Sequence, residues 1–259
     1  MRGVVVVTAH PDDETLIAGG VLAACSAAGL ETGVICLTRG EHGPIADPAL
    51  ATRGTLGDVR EAELRDACAD LGVCWVRCYR RRDAHLPWTN STAVTRQIAR
   101  AIDASRPRAV ITFGEDGLYY HPDHIAVHRF TRRALDLIAR ASPRRRPWLY
   151  ESVWHAGRVV DLARAMRERG LPSDLWGIAP ADFGVEDDDG AVELDVRPFL
   201  ERKLSALRRH RSQLDPGHLF SALPADLAER HLGWERFRRV RPARGKRDWL
   251  TDVVGQARG

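Results

Sequence analysis

Two short segments gather residue types that bind metals and move protons. In "TAHPDDETLIAGG", His10, Asp12, Asp13 and Glu14 follow the apolar run Val4–Thr8, and in "GEDGLYYHPDH", His121, Asp123 and His124 follow Ala109–Phe113. Three consecutive carboxylates repel one another unless a helix N-terminus or a cation offsets their charge. A helix start accounts for the acids alone. It does not account for His10, or for two more histidines and an aspartate at a second strand exit. His10 and Asp13, three apart across a turn, can grip one ion, with His124 coming from the facing loop. Two nitrogens and one carboxylate leave a position for water, as catalytic zinc sites require. Zinc lowers the pKa of that water toward ~7. Asp12, next to a ligand without being one, is then the candidate general base. The same donors also suit iron(II), cobalt or manganese.

The surrounding pattern says how these segments meet. Val4–Thr8, Thr32–Leu37, Cys74–Cys78 and Ala109–Phe113 read as strands, the first and last apolar throughout, as strands covered on both faces are. Between and after them, Leu16–Ala28, Asp58–Leu71, Ser91–Ser105 and about Asp123–Arg140 read as helices, with Gly29 and Gly72 as stops and Asn90 or Ser91 as a cap. Strand–helix alternation at this spacing predicts right-handed crossovers and a Rossmann-like α/β fold: a mostly parallel sheet with helices on both faces. Ligands bind such sheets at the carboxyl ends of the strands, so both segments belong on one edge. The Gly-, Pro- and Asp-containing loop that runs to Gly57 is long enough to suggest a function.

Further on, Trp148–Trp154 and Ala191–Val196 read as strands and Leu171–Gly190 as an acidic loop. "RPFLERKLSALRRHRSQL" reads as a helix capped by Asp195, with Pro198 in its first turn. The expected organisation is a domain over residues 1–214, with the motifs within 1–141, and a smaller C-terminal extension over 215–259 that ends in a basic tail.

Composition narrows the function classes. The 259 residues carry a net charge of +4, nearly all from arginine, since Lys203 and Lys246 are the only lysines. Basic clusters at Arg80–Arg82, at Arg144–Arg146 and from Arg236 onward lack any accompanying nucleic-acid motif, so no nucleic-acid partner is expected. A dinucleotide is disfavoured, because acids occupy the turn where a pyrophosphate needs glycines and N–H groups, and Gly19 and Gly20 fall inside a helix. No apolar run is long enough to span a membrane. The five cysteines form no CxxC pair and read as reduced, mostly buried residues. With no secretory pattern at the start, a cytoplasmic location is expected. The sequence is silent on oligomeric state.

"AHPDDE" after a first strand and "HPDH" after a later one, together with "KLSALRRHRSQL", resemble the LmbE-like (PIG-L) zinc-dependent N-acetylglucosaminyl deacetylases. The resemblance covers residues 4 to about 214 and weakens in the middle loops. It implies a Zn2+ held by His10, Asp13 and His124, with Asp12 as general base. His121 would be a protonated partner that stabilises the oxyanion and protonates the leaving amine, with Asp123 orienting its ring. Tyr119 would reach the carbonyl oxygen, while Tyr120 fills a position often held by glycine. Glu14, His210 and Gln213 belong to the motifs without an assigned role. The implied substrate is a small amino sugar bearing an N-acetyl group. The alternatives are a thiol–sugar amidase, a deacylase for longer chains and a non-catalytic metal-binding module. Arg39, Arg60 and Trp88 are candidates to bind substrate alongside Tyr120.

Overall fold

The apolar runs pair as the pattern predicts. The computed structural model describes residues 2–143, 146–185, 190–241 and 248–257. In it, β1 (Arg2–Thr8) is buried from Gly3 onward. It lies between β2 (Glu31–Thr38) and β4 (Ala109–Phe113), parallel to both, with Val5 opposite Gly33 on one side and Val110 on the other. β3 (Trp75–Arg81) joins β2 and β5 (Trp148–Ser152) joins β4, again in parallel. β7 (Trp234–Arg241) runs antiparallel to both β5 and β6 (Ala191–Asp195). The order is β3-β2-β1-β4-β5-β7-β6. The chain winds outward from β1 to β3 and then restarts at β4 on the other side of β1. The crevice between the carboxyl ends of β1 and β4 is therefore the topological switch point where such sheets bind ligands.

Helices cover both faces. α1 (Asp13–Ala27), α2 (Leu56–Leu71) and α7 (Leu200–Arg209) pack together, and α3 (Ser91–Ser105) packs against α5 (Pro122–Ala141). Asn90 caps α3 by accepting the Ala93 N–H, and Gly72 ends α2 in the left-handed conformation. α4 (Gly117–Tyr120) is one irregular turn before α5. α6 (Ala156–Glu168), in a stretch without a predicted element, joins α7 and α8 (Ala225–Leu232) around a second apolar cluster that includes Leu162, Met166, Phe183 and Phe220.

The residues expected as an extension contribute to the same body. β7 inserts into the sheet, and α9 (Trp249–Gln256) buries Leu250, Val253 and Val254. Of the expected basic clusters, Arg144, Arg145 and the stretch 242–247 lie outside the described residues, as do residues 186–189 of the acidic loop. Among the cysteines Cys74 is exposed, contrary to the burial expected, and all five are free. No described helix is long and apolar enough to cross a membrane.

α1 contains a break that explains its paired glycines. Ala18 leaves helical geometry, at φ −152° and ψ 15°, so the following turn has N–H groups without helical partners. Gly20 and Val21 donate these to the two carboxylate oxygens of Glu235 on β7, at 2.7 and 3.0 Å. Lys203 on α7 pairs with the same carboxylate at 2.7 Å. A Cβ at Gly20 would lie 2.5 Å from Val196, so only glycine fits there. Glu235 thus ties α1, α7 and β7 together inside the protein. Breaking a buried pair leaves the other charge uncompensated. Glu235→Ala is expected to lower stability by about 3–5 kcal/mol in denaturant titration.

Candidate metal centre and active site

Hydrogen bonds at the end of β1 aim His10 and Asp13. The Thr38 N–H and hydroxyl both donate to Ala9 O at 2.9 Å and pin the chain as it leaves the sheet. The Ala9 and His10 N–H groups then donate to Asp13 Oδ2 at 3.2 and 2.7 Å, closing a turn around that carboxylate. From the β4 side, α5 delivers His124, whose ring stacks on Phe113 with centroids 4.0 Å apart. His10 Nδ1 and His124 Nε2 come within 3.2 Å of each other. Asp13 reaches both, with Oδ2 3.5 Å from His10 Nδ1 and Oδ1 3.3 Å from His124 Nε2.

The partners of the outer ring nitrogens assign the protons. His124 Nδ1 donates to Gly117 O at 3.1 Å, which leaves Nε2 bare. His10 Nε2 faces Asp83 Oδ1 at 3.0 Å and Asp123 Oδ2 at 3.4 Å, which places a proton there and turns Nδ1 inward. The two inner nitrogens therefore face each other above a carboxylate, where a cation would meet the lone pairs of both. Zinc bonds of ~2.0–2.1 Å in a tetrahedron separate neighbouring donor atoms by about 3.3–3.4 Å, the scale of the separation of the two nitrogens and of each nitrogen from one Asp13 oxygen, Oδ2 for His10 and Oδ1 for His124. Ring nitrogens backed by carboxylates or carbonyls are the usual support of metal-binding histidines. Positive charge is favoured at this place. Burial acts to lower the His10 pKa, but Asp123, Asp13 and Asp83 outweigh it and hold it well above the usual value. Burial drives His124 down to about 3 despite Asp13. Asp13 is held low by both imidazoles against its burial.

Asp12 occupies a backbone conformation that non-glycine residues rarely adopt, φ 116° and ψ −32°. Its carbonyl accepts the Thr15 and Leu16 N–H groups, and its Oδ2 accepts from Arg60 Nη2 at 2.9 Å. Burial lifts the carboxyl to about 6, with Arg60 pulling it down. Arg60 is itself buried, with its two Nη groups also on Pro11 O and Gly40 O. A Cβ on Gly40 would come 2.3 Å from that guanidinium, so the glycine makes room for it.

A cavity of about 280 Å³ opens over these groups. His10, Asp12, Asp13, Tyr119 and His121 line it. His121 caps α5 by accepting the Asp123 N–H at its Nδ1, 3.2 Å away. Its proton is therefore on Nε2, and burial together with His10 lowers its pKa. The resting ring is neutral rather than the protonated partner expected. Nor does the Asp123 carboxylate orient it: Oδ1 accepts the Leu86 N–H and Oδ2 faces His10. Tyr119 packs edge-on to His121 and His124. Burial and the charges of Asp13 and Asp12 raise its hydroxyl pKa well above normal, so it remains a donor.

Several expected substrate contacts lie elsewhere. Arg39 is ion-paired with Asp58 outside the cavity. Trp88 is 75% exposed and meets His85, and it does not line the cavity. Tyr120 is 65% exposed, and its φ of 60° explains why glycine suits that position. Arg60 does line the cavity, but its Nη donors serve the protein. Asp83 and His42, unmarked in the sequence, complete the far wall, with the Asp83 carboxylate also accepting the His42 N–H at 2.9 Å. His42 comes from the long loop after β2, and Gln213 joins the lining from beyond α7.

Comparison with known proteins adds an independent line. The family model PIG-L, described as GlcNAc-PI de-N-acetylase, matches residues 5–135, just over half of the chain. The 1D-myo-inositol 2-acetamido-2-deoxy-alpha-D-glucopyranoside deacetylase of Thermobispora bispora is 33% identical over 263 residues, spanning 91% of this chain and 87% of that one. Among solved structures, the N,N'-diacetylchitobiose deacetylase of Pyrococcus horikoshii aligns at a TM-score of 0.65 and 20% identity, over 92% of this chain and 84% of that one. GalB, the 4-carboxy-2-hydroxymuconate hydratase of Pseudomonas putida KT2440, aligns at 0.66 and 20% identity, over 96% and 99%. These two structures share the fold alone. A hydratase beside a deacetylase makes plain that the fold does not choose the reaction.

Removing an inner donor and removing its outer support should act differently on metal binding. In chelator competition, His124→Ala is expected to lose stoichiometric binding. Asp83→Asn is expected to keep the stoichiometry but weaken affinity roughly 10–100-fold. Equal affinity in Asp83→Asn and wild type would contradict the support assigned to Asp83.

Proposed function

The chain belongs to the PIG-L (GlcNAc-PI de-N-acetylase) family, and from that premise we propose that it is a metal-dependent hydrolase that removes the N-acetyl group from a small N-acetylglucosamine-containing molecule. The observation that carries this reading is the pair of facing imidazole nitrogens 3.2 Å apart over Asp13, with Asp12 beside them on the wall of the same cavity. The named substrate of the Thermobispora relative, an N-acetylglucosaminyl inositol, supports an amino sugar. A cavity of about 280 Å³ suits a sugar-sized ligand better than a polymer.

His10, Asp13 and His124 hold the ion, and zinc is the metal that two imidazoles and one carboxylate suit best. When bound, a divalent cation supplies Lewis acidity and a water of lowered pKa. Asp12 takes the proton of the attacking water as its oxygen adds to the amide carbonyl carbon. The His121 Nε2–H, left free by the cap at Nδ1, and the Tyr119 hydroxyl donate to the oxyanion that forms. Asp12 then returns its proton to the amide nitrogen as the C–N bond breaks, releasing acetate and a free amino sugar. Because His121 rests neutral, its task is hydrogen-bond donation, and one carboxyl serves both proton transfers.

Acetate release from a panel of N-acetylglucosaminyl conjugates, including the inositol conjugate, tests the proposal. In the zinc-loaded protein Asp12→Asn should lower kcat roughly 10²–10⁴-fold while the ion stays bound. Failure of the metal-loaded wild type to release acetate from any member would contradict the N-acetyl assignment.

A further inference from the structure

His210 and Glu14 belong to the sequence motifs but not to the cavity lining. His210, just beyond α7, places Nε2 3.0 Å from Glu14 Oε1, and the two side chains are 1% and 0% exposed. The Thr15 hydroxyl donates to the same oxygen at 2.7 Å. The other oxygen, Oε2, accepts the backbone N–H of Asp12 at 3.0 Å. A buried carboxylate is costly unless paired and hydrogen-bonded. A glutamate serving only the helix start would be cheaper left in solvent, without a histidine brought from 196 residues away.

Asp12 explains that expense. Its φ of 116° is a strained conformation that persists only when its surroundings over-determine it. The bonds to its carbonyl are those of any helix start, and Arg60 holds its side chain. The Glu14 bond fixes the remaining group, the peptide N–H, and with it the direction in which Cα projects the carboxylate.

We propose that the His210–Glu14 pair is a positioning device for the general base, setting the Asp12 carboxylate in the orientation from which it takes the proton of the attacking water. This rests on the reading of Asp12 as the base. If the pair only docked the end of α7 onto α1, its loss would lower stability and leave the folded fraction fully active. A positioning role puts the loss in kcat.

The test is a double-mutant cycle in the zinc-loaded full chain, with rates normalised to bound metal. Glu14→Met fills the space without an acceptor. It is expected to lower kcat about 10–100-fold, given that a misplacement of ~1 Å can cost 10²-fold, with KM and metal stoichiometry unchanged. Glu14→Gln, which keeps an acceptor for the Asp12 N–H, should recover most of that loss. In an Asp12→Asn background, Glu14→Met should alter the residual rate by less than about threefold, because the group it positions is gone. If Glu14→Met does not fold, His210→Asn takes its place in the cycle. Wild-type kcat in the folded variant, no recovery by glutamine, or an equal loss in both backgrounds would overturn the proposal. Wild-type turnover in Asp12→Asn alone would remove the base reading, and the role of the pair with it.

Discussion

His10 Nδ1 and His124 Nε2 face each other at 3.2 Å over the Asp13 carboxylate, each ring with an acceptor behind it for the proton of its outer nitrogen. Much of the surrounding structure sustains that juxtaposition. The switch point between β1 and β4 brings two strand exits together, the Ala9–Thr38 bonds aim the first of them, and Phe113 backs the second. Asp83 and Asp123 then fix the tautomer of His10 from two further elements. Carboxylates so closely grouped in a buried place repel one another unless positive charge lies among them. Arg60 meets this requirement at Asp12, and the proposed cation would meet it at Asp13.

The C-terminal third works on the same centre from behind. Glu235 caps the broken α1, Lys203 neutralises it, and Gln213 reaches the cavity wall. Ser212 donates from its N–H and its hydroxyl to Glu63 of α2 at 2.9 and 2.6 Å, seating the segment that also carries His210. The residues of "KLSALRRHRSQL" that recur as a motif are thus those that join the last helix to α1, α2 and the site. None of them has to touch substrate to matter.

The alternation of apolar runs was enough to read the parallel core and its edge, because strands buried on both faces leave a composition signal. The metal-binding types stood out through their company: three acids and a histidine at one strand exit, two histidines and an aspartate at another. Tertiary geometry decided what did not stand out. Asp83 follows three arginines in a stretch that resembles surface loop, and only the register of β3 against β2 carries it to His10. β7 is dense in arginine, so charge hid a strand whose burial depends on Glu235 and Phe237. Asp123 sits two residues from His121, which suggested that pair, yet the first turn of α5 rotates its carboxylate toward His10. Arg39 follows a strand as site residues do, but Asp58 in the first turn of α2 captures it.

The place of the ion decides among three groupings of donors. Besides the position over Asp13, ring nitrogens of His10, His121 and His124 lie within 4.8 Å of one another, and so do donors of His10, Asp83 and Asp123. Anomalous diffraction from zinc-loaded crystals, recorded on both sides of the zinc edge, separates the three. The account predicts a single peak bonded to His10 Nδ1, His124 Nε2 and the Asp13 carboxylate, with His121 outside bonding distance. A peak bonded to His121, a peak on the Asp83 side of His10, or no peak at full zinc loading would contradict it.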